Sequence, residues 1–109
     1  MGHPVDLSNL REMIDGDVEL EKALFEEFYL AGEQCIAALQ ASLTSGDAQA
    51  WRASAHALKG TALNLGANDL GALCKQAQDE YEFPTAQRAA LLLEIQTAFE
   101  ISKDYLRTL

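Results

Sequence analysis

Residues 55–67 read AHALKGTALNLGA, and His56 is the one histidine beyond the first few residues. On a helix, Arg52, Lys59, Gly60 and Leu63 stand four, three, four and seven residues from His56, so all five share one face. The apolar residues of the same segment, Ala48, Trp51, Ala55, Leu58, Ala62 and Leu65, gather on another face, and His56 lies roughly 130° from its centre. The ring therefore points to water or to a partner. An outward imidazole is a nucleophile, and two flanking cations would offset the charge of a phosphoryl group placed on it. Gly60 costs about 1 kcal/mol relative to alanine inside a helix. It lies about 170° from the core direction, so core packing is the weakest reason for it. An absent side chain lets a second surface come close to the ring. Leu63 adds an exposed apolar contact on that surface.

Elements able to hold this face are readable along the whole chain. Alanine, leucine, glutamate and glutamine dominate, apolar positions recur at spacings of three and four, and no stretch alternates with a period of two. The pattern predicts an all-α protein. A short helix is expected over 7–14, its length suggesting a lid or cap, with a break at Asp15-Gly16-Asp17. A second runs over about 17–43, carrying Leu24, Phe25, Phe28, Gly32, Cys35, Ile36, Leu39 and Leu43 on one stripe. Gly46-Asp47 ends it and starts the third helix, over 48–65. Gly66 supplies a left-handed cap, with Asn68 or Asp69 capping the fourth helix, which carries Leu70, Leu73, Cys74, Ala77 and Tyr81 until Phe83-Pro84 stops it. A fifth covers about 85–107. Four amphipathic helices with short loops make an antiparallel up-down four-helix bundle, preceded by the short extra helix. Residues 1–5 read as a disordered end ahead of a single domain over 6–109.

Bulk properties narrow the partners. Eight Lys and Arg against 17 Asp and Glu leave a net charge of −9, which repels nucleic acid and anionic membrane surfaces. No apolar run reaches the roughly 18 residues of a membrane span, and no basic-then-apolar signal segment opens the chain. The expectation is a soluble, cytoplasmic protein. Cys35 and Cys74 fall on apolar stripes without a ligand pattern and read as buried thiols.

The histidine face resembles that of the histidine-containing phosphotransfer (HPt) domains of bacterial, fungal and plant phosphorelays. Their signature is a histidine with lysine and glycine three and four residues on and a second glycine about ten residues on; His56, Lys59, Gly60 and Gly66 stand at those places, and Ala67 completes the usual Gly-Ala ending. The bundle plan matches the family fold over nearly the whole chain. The resemblance implies that His56 accepts a phosphoryl group from a receiver-domain aspartate and passes it to another, with Lys59 steadying the charge and Gly60 giving access. A glutamine 22 residues after the histidine hydrogen-bonds near the ring in several members, and Gln78 occupies that place. Arg52, Gly60, Leu63 and Ala67 are the expected docking residues, Arg52 from helix spacing alone. Partners would be response-regulator receivers and possibly a hybrid sensor histidine kinase.

No cofactor of its own is expected, and Mg2+ belongs to the partner receiver, because the residues beside His56 are cations and no ligand type stands four residues from it on either side. No Gly-rich phosphate loop is present, so no ATP site and no autonomous kinase activity are expected; as a phosphotransfer intermediate the chain is expected to have no phosphatase activity either. A monomer is the default. Two other readings compete. One is a helical module that docks a receiver-like partner without phosphotransfer; the other, a core-sited metal or acid-base enzyme, lacks inward carboxylate and histidine groups.

Overall fold

Why Gly46 and Gly66 stand between helices is visible in their backbone. Gly46 has φ +76° and Gly66 φ +100°, and each donates its N–H to a carbonyl of the preceding helix, Ser42 and Ala62 respectively. These left-handed caps close the helices that precede them and turn the chain back at once. A computed structural model, describing residues 3–109, has five helices among the described residues: α1 Ser8–Ile14, α2 Val18–Ser45, α3 Ala48–Leu65, α4 Asn68–Asp79 and α5 Thr85–Arg107. Asp17 and Asp47 cap α2 and α3 by accepting from the Leu20 and Ala50 N–H groups, both at 3.0 Å.

The bundle closes in chain order. α3 packs against α2 and α4, and α5 against α4 and α2, while α1 lies on α2. At 1.5 Å per residue α2 alone spans about 42 Å, close to the 44 Å long axis of the molecule. The core is drawn from the expected stripes, with Phe28, Leu39, Trp51, Ala55, Leu58, Leu70, Ile95 and Phe99 all buried. A Cβ on Gly32 would overlap the Phe99 ring, so this glycine lets α2 and α5 meet closely. Lys103 ties the same pair of helices: its buried ammonium donates to Glu33 at 3.2 Å and to Glu100 at 3.4 Å, and sits 5.2 Å from the Phe99 ring centroid. Cys74 is buried, and burial pushes its thiol up to about 12; Cys35 is half-buried, with its thiol also raised by desolvation.

Three expectations are corrected. Disorder is expected over residues 1–5; residues 1 and 2 lie outside the described residues, but His3 and Val5 make contacts with the bundle. Val5 is buried, His3 stacks on Tyr105 with centroids 5.1 Å apart, and the next residue, Asp6, donates its N–H to the Gly66 carbonyl at 2.9 Å. Val5, Leu7 and Leu10 form an apolar strip that anchors the segment. Neither Asn68 nor Asp69 caps α4: the N-cap position falls on Ala67, because the turn is so tight that α4 begins at Asn68. Finally, α4 ends at Asp79 rather than running to Phe83-Pro84. Its last turn closes through Glu80 N–H to Gln76 O at 2.9 Å, and Phe83 turns back to the Glu80 carbonyl at 2.9 Å.

Candidate functional site

The site begins with a one-residue offset on α3. Ala55 is fully buried, so its successor His56 falls on the exposed side of the helix. Behind the ring stands the final turn of α4, where Gln78 is half-buried. His56 Nδ1 and Gln78 Oε1 are 3.2 Å apart. A proton on Nδ1 would be donated to that amide oxygen, and the Nε2 lone pair would then be left for chemistry. The two neighbouring helices therefore set where the ring points and what its Nδ1 meets.

The remaining sequence-derived candidates divide. Lys59 is half-buried one turn beyond the ring. Above Gly60, the space a Cβ would fill has no neighbouring atom within 4 Å, so the backbone there is open to an incoming surface. Leu63 is 49% exposed, and its side chain lies over Gly71 of α4, whose own Cβ would strike it. Arg52 is exposed, with its guanidinium carbon 5.0 Å from the Tyr81 ring centroid, so it is turned toward the end of α4. Ala67 is a correction: it was expected on the docking surface, but it is 0% exposed. Its N–H donates to Ala62 O at 2.9 Å in the α3 cap, and its side chain is part of the core.

Sequence reasoning passed over Lys75 and Asp79, which pair at 2.7 Å on α4. The spacing of four was available as a signal. The Lys75 ammonium, first of all, holds the Asp79 carboxyl below its ordinary range, with the charges of Lys59 and Arg52 acting in the same direction. Asp79 thus sits among three cations drawn from both helices, next to Gln78. Among the described residues no group of three or more His, Cys, Asp and Glu side chains could hold a metal ion.

Residues 23–107 match the family model of the Hpt domain. The chain belongs to the Hpt family. A search of the solved structures finds the crystal structure of histidine-containing phosphotransfer protein B (HptB) from Pseudomonas aeruginosa PAO1, at TM-score 0.87 and 30% identity, covering 99% of this chain and 95% of that one. Comparison with curated proteins gives no match. The five-helix arrangement is thus the Hpt bundle, and the chain is a histidine phosphotransfer intermediate of phosphorelay signalling. Hpt domains work with receiver domains and histidine kinases. No helix among the described residues is long and apolar enough to cross a membrane.

Proposed function

We propose that His56 is the residue that carries the phosphoryl group, taking it from a receiver aspartyl phosphate and giving it to a second receiver aspartate. The observation that carries this reading is an exposed ring whose Nδ1 is engaged by Gln78. The Nε2 lone pair attacks phosphorus nearly in line; the N–P bond forms as the P–O bond to the donor carboxylate breaks. The donor leaves as a free carboxylate, and no proton has to be removed from the ring. The positive charge left on the imidazolium is held by Nδ1–H donating to Gln78 Oε1. Return transfer runs the same steps backwards, with the neutral ring as leaving group.

Lys59 supplies a cation toward the phosphoryl oxygens, Gly60 admits the receiver, and Leu63 with Arg52 forms part of the surface it meets. Mg2+ sits on the receiver, whose aspartates ligate it, and this chain contributes no cofactor, no kinase activity and no phosphatase activity. It acts as a monomer in the cytoplasm. The test is incubation with a phosphorylated receiver followed by intact-mass measurement. A phosphoryl adduct that is lost in acid and survives base is expected; a receiver that binds without ever leaving an adduct would establish docking alone.

Gly60 gives this proposal a quantitative check. With nothing near its Cβ position, Gly60→Ala should stabilise the fold by about 0.5–1 kcal/mol through helix propensity, read as a higher urea midpoint. Transfer from the receiver should slow in the same variant, because the new methyl stands where the visitor settles. A faster or unchanged transfer rate would remove Gly60 from the docking surface.

A further inference from the structure

Gln78 is the penultimate residue of α4, in the turn where helices fray because their last carbonyls have no intrahelical donor. One of those carbonyls, that of Ala77, is taken by the indole of Trp51, whose Nε1–H donates to it at 2.9 Å. The Ala77 carbonyl and the Gln78 nitrogen belong to a single planar peptide unit that ends at the Gln78 Cα, so anchoring the carbonyl fixes that Cα, and the helical φ of Gln78 then sets the direction in which its side chain leaves. Trp51 is 0% exposed and stands five residues before His56 on the same helix. α3 therefore grips α4 twice in adjacent places, at the 77–78 peptide through Trp51 and at the Gln78 amide through His56. Arg88 of α5 backs the indole, its guanidinium carbon 5.5 Å from the ring centroid while Nε donates to Phe83 O at 3.0 Å. Arg88 Nη1 is buried with no hydrogen-bond partner among the described residues, and the guanidinium to which it belongs lies over the negative face of the indole.

We infer that Trp51 is a positioning residue for the phosphoryl-accepting imidazole: its N–H holds the Ala77 peptide, that peptide aims Gln78 at Nδ1 of His56, and the aim decides which ring nitrogen carries the proton. The inference rests on His56 as the acceptor for its kinetic consequence, but its structural part does not. A tryptophan serving only to fill the core would do so through its ring; the donor to Ala77 is the separable part.

The chain has one tryptophan, so biosynthetic replacement by β-(3-benzothienyl)alanine changes position 51 alone, exchanging the indole N–H for sulfur at nearly constant shape. Ring 15N–1H correlation spectra, with His56→Gln used to assign the signal, report the His56 tautomer. Transfer from an aspartyl-phosphorylated receiver reports the rate. The Nδ1–H fraction should fall in the analogue protein and in Gln78→Ala alike, and transfer should slow about three- to tenfold in each. Combining the two changes should slow transfer no further than Gln78→Ala alone. Trp51→Phe, which also lacks the donor, is carried through the same cycle, with thermal unfolding to establish folding of each protein. An unchanged tautomer and rate in a folded donor-less protein overturns the inference, and so does slowing that adds fully to that of Gln78→Ala. Continued phosphoryl uptake by His56→Gln would instead overturn the acceptor assignment, leaving the tautomer result to decide the role of Trp51.

Discussion

His56→Gln should lose phosphoryl uptake altogether, with a fall on the order of a thousandfold or more set by the detection limit. Glutamine keeps a polar side chain on an exposed helical position, so stability should stay within about 0.5 kcal/mol of the parent. Receiver binding should also persist, because the docking contacts assigned to Gly60, Leu63 and Arg52 are untouched. Intact mass after incubation with a phosphorylated receiver, a urea melt and a calorimetric titration check the three parts separately. Loss of uptake together with loss of binding would mean that the ring is chiefly a docking contact. Retained uptake would place the acceptor on another side chain.

The second large effect concerns the fold. Gly46→Ala and Gly66→Ala both force a side chain into the left-handed region, which costs about 1–2 kcal/mol in each case. They differ in their surroundings. The space beside Gly46 is open, whereas a Cβ on Gly66 would overlap the Asp6 carbonyl. Gly66→Ala must therefore also displace the segment whose Val5 and Leu7 are buried, raising its total to about 3 kcal/mol or more. Urea midpoints at unchanged slope measure the difference. Equal losses in the two variants would show that the N-terminal segment does not lean on Gly66 in solution. The glycine of the Hpt pattern thus has two physical duties here: a turn that needs positive φ and a seat for the chain's own N-terminal segment.

Much of this architecture was legible because helices advertise themselves by period. The boundaries of α3 and α5 follow the stripe ending at Leu65 and the stop at Pro84, and the outward direction of His56 follows from the burial of Ala55. Where the reading failed, the deciding interaction was between elements. Ala67 reads as a surface residue until the α3 cap claims its N–H, and residues 3–5 read as loose because Val5 is a single apolar position ahead of the first helix. Tyr81 continues the α4 stripe in the sequence, yet it lies beyond the helix, where Arg52 covers its ring. The grip of Trp51 on Ala77 spans 26 residues, and nothing local announces it.

Three of the chain's eight cationic side chains, Arg52, Lys59 and Lys75, are concentrated around Asp79 beside His56, on a molecule of net charge −9. The three cations outnumber the one carboxylate they act on, so the proposed acceptor stands beside a local surplus of positive charge. A negatively charged partner surface is repelled by the molecule as a whole at long range, but within a Debye length, about 8 Å at physiological salt, it meets that surplus instead. Encounters that begin on the wrong side are thus discouraged, and those near the imidazole are rotated into register, so the uneven placement of charge selects the orientation of collision before any surface has touched.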